Sequence, residues 1–450
     1  MKQSNNLEED VLEIENYSEQ NIIELLRARH SQRKYFTNLG SNALIYINPY
    51  SEDECISDRK SKVYVEDSRN SSSERPKLAS NIFQLVNSTY LHMIREKEDQ
   101  SIIINGECAS GKTEIYKAIA RHICHLTRES KKKTITESAI LKINKVLDSF
   151  GTATTLNNPS SSRFGKYIEY QFDRTGKIIG AKLVHYCLEK DRVSRVPDDE
   201  RNFNVFYHFL ASATSNEKST LDLTEPSGFE YLSQNRYYKR CTNDDQLDGR
   251  ELRSALKAFG IGVRQQAQIF QLLAAILHLG NIEFVDAPKN AQETCNIKNY
   301  ELVEFIAELL GVTPDALEDV LTYQTKCIRS DVFTEYLDAN SASRQRDNLA
   351  NTLYSLIFNW IIEKINSKLC RDDESDNFIG VVDLFGFQNL KVNQFDQFLS
   401  NYATEKLQFL TNKCFFDIPV LNYQEEGITI DTPSYANNTS NVKLLDDIIS

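Results

Sequence analysis

No apolar run in these 450 residues approaches the 18 or more residues that a membrane-spanning helix requires. The longest, Leu272 to Leu277 and Ser355 to Ile362, fall far short. The amino terminus, MKQSNNLEEDVLEIENYSEQ, has no hydrophobic signal core, so the chain reads as soluble and cytoplasmic. It has no CxxC, its nine cysteines are an odd number, and the closest two are Cys108 and Cys124. Neither a disulfide framework nor a zinc knuckle is supported, and reduced thiols are expected. Basic residues are outnumbered 52 to 64, a net charge of −12 that argues against recognition of nucleic acid through its phosphates. The one basic cluster, Lys131 to Lys133, reads as a solvated loop. The single tryptophan, Trp360, lies in an apolar helical run and is expected in the core.

What is present is length and pattern. At about 150 residues per unit the chain has room for roughly three structural units. A chain of this size buries about three-quarters of its unfolded surface, so it needs no covalent staple. Strand signals concentrate early, in ALIYIN (Ala43 to Asn48), SIIIN (Ser101 to Asn105), YIEYQF (Tyr167 to Phe172) and KIIGAKLVHY (Lys177 to Tyr186). In YIEYQF the residues Ile168, Tyr170 and Phe172 alternate with polar neighbours, and Asp173 to Gly176 supplies a hairpin turn. From about Glu200 to Asn366 the period is helical. A buried strand, FIGVVD (Phe378 to Asp383), then precedes an amphipathic helix from about Val392 to Phe416. Polar stretches at Asp67 to Glu74 and Asp431 to Asn441 read as exposed loops.

Three segments carry chemistry. Gly106, Glu107, Cys108, Ala109, Ser110, Gly111, Lys112 and Thr113 fit GxxxxGK[ST] directly after SIIIN. The backbone amides of such a loop curl round a β-phosphate, Lys112 reaches the β/γ-phosphates, and the Thr113 hydroxyl binds Mg²⁺. Ile115, Ala118, Ile119 and Ile123 share one face of the helix that follows, so the loop opens onto a helix amino terminus that favours anions. Asn158 to Lys166 (NPSSSRFGK) combines hydroxyls with a guanidinium, the equipment of a γ-phosphate sensor. Asp383 to Gln388 (DLFGFQ) ends the buried strand with a carboxylate suited to Mg²⁺ through water, and Gly386 offers an amide that can approach a γ-phosphate. His122, Cys124 and His125 (RHICH) read as packing and surface residues of the loop's helix rather than metal ligands.

Together these segments resemble the P-loop, switch I and switch II of the myosin motor domain, whose motifs run approximately GESGAGKTE, NxNSSRFGK and DIxGFE. The resemblance extends to YFTNLGSNALIYINPY (Tyr35 to Tyr50), RNFNVFYHFLA (Arg201 to Ala211), LLAAILHLGNIEF (Leu272 to Phe284), RDNLANTLYSLIFNWII (Arg346 to Ile362) and a relay-like helix at KVNQFDQFLSNYATEKLQFL (Lys391 to Leu410). It implies an α/β P-loop NTPase fold with a mixed central sheet and a large helical upper subdomain. The expected partial motor spans 10–450, divided into a strand-rich nucleotide-binding region at 10–190, a helical region at 191–375, and the switch II strand with relay helix at 376–450. The ligands implied are ATP and Mg²⁺. Asn48 and Pro49 take the purine side, and Gly106 to Thr113 with Glu114 form the phosphate loop. Asn158 lies near the phosphates, Ser161 in the proton relay, and Thr113 and Ser162 on Mg²⁺. Arg163 is half of a switch-closing ion pair, and Asp383 and Gly386 take the switch II roles. Actin filaments are the implied partner, with Asp331, in a loop before the RDNLA helix, at a family actin contact. The implied location is the cytoplasmic cytoskeleton.

The departures from the family pattern are specific. Gln388 stands where the family has the glutamate that pairs with the switch I arginine. A carboxylate offers guanidinium a charged fork; an amide offers one neutral oxygen. Losing about 1–3 kcal/mol of a buried charged hydrogen bond from the transition state would slow hydrolysis about ten- to hundredfold. A catalytically weak, nucleotide-gated scaffold is the alternative reading. Ala109 replaces a glycine and is expected to strain the loop if its φ is positive. Ser160 stands in place of an asparagine, and Ser51 where a lysine commonly follows. The resemblance also implies that a complete motor continues past Ser450 with the lower actin-binding half, an interior strand of the sheet, the converter and a lever helix. Light chains are therefore not expected on this stretch, and filament binding is expected to be weak.

Overall fold

A computed structural model describes residues 8–16, 18–51, 54–69, 78–128, 135–156, 158–234, 245–287, 295–328, 331–389, 393, 395–430 and 435–449. Its strands, in chain order, are β1 Phe36–Leu39, β2 Ala43–Tyr46, β3 Gln100–Ile104, β4 Thr152–Ala153, β5 Ser161–Ser162 and β6 Gly165–Phe172. They continue with β7 Ile178–Tyr186, β8 Phe284–Asp286, β9 Cys295–Ile297, β10 Tyr323–Ile328, β11 Asp331–Tyr336 and β12 Asn377–Asp383. The central sheet has the order β3-β12-β6-β7. The late strand β12 enters between β3, to which it is parallel, and β6, to which it is antiparallel. The sheet is mixed, as expected, and its register aligns Asp383 with both Ile104 and Lys166. Three chain segments remote in sequence therefore leave the sheet at one end.

Local chemistry accounts for the elements. Ile168, Tyr170 and Phe172 are fully buried along β6, so the period-two pattern marked the correct face. The Asp173 carboxylate accepts from the backbone N–H of Thr175 (2.9 Å) and of Lys177 (3.0 Å), and Gly176 takes φ +81°, which closes the β6–β7 hairpin. The far edge, β7, is covered by the long helix Ala339–Leu369: Asn366 accepts from Leu183 N–H and donates to Leu183 C=O, each at 2.8 Å. A side chain thus satisfies backbone groups that an edge strand would otherwise expose.

The helix after the phosphate loop, Lys112–Leu126, buries Ile115, Ala118, Ile119 and Ile123, but also Tyr116, Ala120 and Cys124. It is enclosed on nearly every side because helices Asp58–Arg69 and Ile82–Glu96 flank it together with the sheet. His122 is part of that packing. Asn87 Oδ1 accepts from its Nε2 at 2.8 Å, which leaves Nδ1 to accept the Ser61 hydroxyl at 2.8 Å. Burial, with His125 beside it, pulls His122 down to about 3.

Several expectations change. Asp67 to Arg69 complete a helix instead of opening a loop, and residues 70–77 lie outside the described residues. Thr439 begins a helix, Thr439–Ile449, within the stretch read as a loop, and residues 431–434 are likewise outside. Asp331 is the first residue of β11 in an antiparallel hairpin, not a loop residue. Cross-strand pairing between β-favouring side chains, Thr325 with Thr334 and Tyr323 with Tyr336, extends the ladder that far. The relay-like helix runs Phe395–Asn412 and passes through a π-turn at Lys413–Asp417 into a further helix, Ile418–Glu425, whose Pro419 removes one backbone donor. Trp360 is half-buried at the rim of the core, with Lys364 over its ring. Lys131 to Lys133 fall outside the described residues.

Candidate functional site: a phosphate-loop cleft

A cleft of about 320 Å³ opens at the carboxyl ends of β3 and β12, where ligands sit in open α/β sheets. Its floor is the loop after β3. Asn105 Oδ1 accepts from Gly106 N–H at 2.8 Å, and Ser110 N–H donates to Glu107 C=O at 3.2 Å, which folds the loop back on itself. Gly111, at φ +90°, caps the helix and accepts from Glu114 N–H and Ile115 N–H at 3.0 Å each. Ala109 also has positive φ, +64°, so the alanine does occupy a left-handed position, at about 1–2 kcal/mol. The Asn48 amide donates to Ala109 C=O at 2.9 Å and steadies the loop from the side.

Lys112 turns back over the loop, its ammonium donating to Gly106 C=O (2.7 Å) and Glu107 C=O (2.6 Å). Burial lowers its pKa, partly offset by Asp383, Cys108 and Glu107. The next residue carries the junction of the site. Thr113 Oγ1 lies 3.2 Å from Asp383 Oδ2 and 3.2 Å from Ser162 Oγ. The carboxylate can only accept, so the Thr113 proton goes to Asp383 and Ser162 donates to Thr113. Two hydroxyls and one carboxylate, from three segments, thus meet beside a helix amino terminus. This is a hard-oxygen donor set of the kind Mg²⁺ selects.

The switch I segment is held as a short strand, with Ser161 and Ser162 of β5 paired to Ala153 and Thr152 of β4. Asn158 Oδ1 accepts from Ser160 N–H at 3.0 Å, which forms the turn that presents Ser161. Cys108 Sγ faces Ser161 Oγ at 3.7 Å. Arg163 is 7% exposed, and its NH1 donates to Ser161 Oγ at 3.2 Å. Its Nε donates to Glu189 Oε2 at 2.7 Å. Gln388 does not meet Arg163 among the described contacts. Its backbone is instead clamped by Asn401 of the relay-like helix, with Gln388 N–H donating to Oδ1 (2.7 Å) and Nδ2 donating to Gln388 C=O (2.8 Å). Gly386 lies against the phosphate loop so closely that a Cβ there would sit 2.4 Å from Gly106 O and 2.7 Å from Glu107 Cα.

Of the residues singled out in the sequence, Asn48, Cys108, Ala109 and Gly111 to Glu114 line the cleft from the loop side. Asn158, Ser161 to Arg163, Asp383, Gly386 and Gln388 line it from the switches. Pro49, Gly106, Glu107 and Ser110 are not among its lining residues. The Ser110 hydroxyl is buried without a partner among the described residues. Glu114 engages Lys117 at 3.2 Å.

Two residues were missed. Lys166, 3% exposed, pairs with Asp383 Oδ2 at 3.2 Å and lies 3.9 Å over the Tyr116 ring. The signal was available, because counting back by two from Ile168 puts Lys166 on the buried face of β6. Glu189, half of the Arg163 pair, had no such signal in its charged neighbourhood LEKDRV.

The family model of the myosin head (motor domain) matches residues 8–449. Chitin synthase 8 of Mycosarcoma maydis is 38% identical over 441 residues, 96% of this chain and 22% of that protein. The Myosin-I heavy chain of Dictyostelium discoideum is 36% identical, with 97% of this chain and 18% of that protein covered. For Myosin-17 of Arabidopsis thaliana the identity is 33%, with coverage of 97% and 28%. The chain thus spans under a third of each of these relatives. With a match that runs nearly end to end, over a mixed sheet that presents phosphate loop and both switches at one cleft, the chain belongs to the myosin head (motor domain) family.

Proposed function

We propose that this chain binds Mg²⁺·ATP through its phosphate loop and two switches, as the nucleotide-binding portion of a myosin-type motor in the cytoplasmic cytoskeleton. The observation that carries the reading is the meeting of Thr113, Ser162 and Asp383 oxygens at 3.2 Å spacing. Thr113 and Ser162 would hold Mg²⁺ directly and Asp383 through water; when bound, the ion would neutralise and orient the β- and γ-phosphate oxygens. Lys112 would exchange two loop carbonyls for phosphate oxygens, and the amides from Gly106 to Thr113 would cradle the β-phosphate. Asn48 and Pro49 would border the purine, and Glu114 and Asn158 the phosphates. Ser161 would accept a proton from the attacking water, Arg163 would offset developing charge, and the Gly386 N–H would meet the γ-phosphate. Fluorescent-nucleotide titration tests this: affinity should fall at least tenfold in Lys112→Ala and depend on Mg²⁺, and unchanged affinity would refute it.

Gln388 favours slow turnover, because its neutral amide cannot supply the charged fork that a glutamate would. The second reading, a nucleotide-gated scaffold with little or no hydrolysis, is favoured by that residue. Single-turnover measurements separate the two.

Actin filaments are the proposed partner, with the β10–β11 hairpin that begins β11 at Asp331 as the candidate contact. A net charge of −12 opposes an acidic filament surface, so cosedimentation should show weak ATP-sensitive binding. Robust binding released by ATP would overturn that expectation.

A further inference from the structure

The geometry points to Glu189 as the carboxylate that positions Arg163 for hydrolysis, in place of a switch II glutamate. This rests on the nucleotide reading above and deepens it. Glu189 Oε2 accepts from Arg163 Nε and from Arg192 Nε, each at 2.7 Å, while Oε1 accepts from Gln397 Nε2 of the relay-like helix at 3.3 Å. Arg192 has a carboxylate of its own as well, with NH2 donating to Glu200 at 2.7 Å. Two guanidinium groups and two carboxylates therefore balance, and Arg163 is neutralised without any contribution from position 388. Burial would raise Glu189, but Arg163 and Arg192 outweigh it and hold it at about 2, so it is ionised throughout the physiological range.

The Nε edge of Arg163 is taken by Glu189 and one NH1 hydrogen by Ser161, and the side chain borders the cleft. An arginine anchored by its Nε keeps its outer N–H groups oriented toward a phosphate, which is preorganisation of charge in a dry site. Through Gln397 the same carboxylate also touches the relay-like helix, so that helix shares an anchor with the arginine in the site. Glu189 touches no reacting atom. It is a positioning residue, and its loss should be repaired by a carboxylate supplied at position 388, which lines the same cleft as Arg163.

That repair is the test. Nucleotide affinity and single-turnover hydrolysis are measured on the 450-residue chain and on Glu189→Gln, Gln388→Glu and the double variant, with thermal melts as a check on folding. Glu189→Gln should lose at least tenfold in turnover with affinity within threefold, and adding Gln388→Glu should restore most of that loss. Glu189→Asp, which keeps the charge at shorter reach, should lose less and be repaired in the same way; it serves if Glu189→Gln does not fold. Turnover within threefold of wild type in Glu189→Gln, a loss that Gln388→Glu leaves intact in both Glu189 variants, or no wild-type turnover at all would overturn the proposal. Absence of nucleotide binding by the wild type would instead overturn the reading it rests on.

Discussion

Replacing Lys166 by methionine tests how the Asp383 carboxylate is kept in the interior. Lys166 and Asp383 are 3% and 4% exposed and 3.2 Å apart, paired across β6 and β12, with Tyr116 closing over the ammonium. Methionine fills similar volume, so the main change is an Asp383 charge left without its counter-ion. Breaking a buried pair in this way costs about 3–5 kcal/mol. An unfolding entropy of about 2.1 cal/mol/K per residue, over 450 residues, gives roughly 0.95 kcal/mol/K, so Tm should drop by about 3–5 °C. The assay is a thermal melt by circular dichroism, run in EDTA and in millimolar Mg²⁺. The deficit should shrink in Mg²⁺, since a bound cation beside Asp383 replaces the lost charge. Lys166→Met with Asp383→Asn should recover more than half of it in EDTA, because the uncompensated charge is then gone. A single variant melting within about 1 °C of wild type would refute the reasoning.

Other consequences are open to direct measurement. Ala109→Gly should leave nucleotide affinity equal or tighter, while Ala109→Val should abolish it, because a β-branched side chain at φ +64° is far costlier than alanine; titration of a fluorescent nucleotide reads both. Gly386→Ala must push apart a pair of backbones now in contact, and a displacement of about 1 Å in switch II should cost roughly a hundredfold in single-turnover rate. Asp396 is raised to about 6 by burial together with Asp191 and Glu189. Its folded pKa lies above its unfolded one, so its contribution to stability is complete below about pH 4 and lost as pH rises through 6. Asp396→Asn should therefore raise Tm at pH 7.5 and change it little at pH 4. Glu189 has the opposite sign: held at about 2, it contributes stability above its unfolded pKa of about 4.3 that disappears as pH falls toward 2. Acid melts of wild type should be steeper over that window than those of Glu189→Gln.

What could be read in the chain beforehand follows from how contiguous each feature is. The phosphate loop is complete within Gly106 to Thr113, and its strand and helix are its immediate neighbours, so the sequence contains both the motif and its context. The β6–β7 hairpin likewise declares itself through alternation and Asp173. Partners brought together only by the sheet are another matter. Thr113 and Asp383 are remote in sequence, and nothing local says that β12 inserts between β3 and β6. Lys166 was quoted within a motif yet assigned no role, because a lysine in a polar segment looks solvated until its strand register is followed inward. Glu189 and Asn401 acquire meaning only when helices fold over the cleft. The sequence singled out Gln388 as a departure from the family pattern, but what Arg163 does in response could be learned only from its surroundings.

The approach of Gly386 to Gly106 and Glu107 has one more implication. Switch II and the phosphate loop meet main chain to main chain, with no side chain as intermediary. A signal passed by such a contact is steric, and it is indifferent to which residues decorate either loop. Cys108, Ala109 and Ser110 can therefore drift from the family pattern without disturbing the contact between the loops. Only a change that adds an atom at the point of touch would interrupt it, and at position 386 every substitution does.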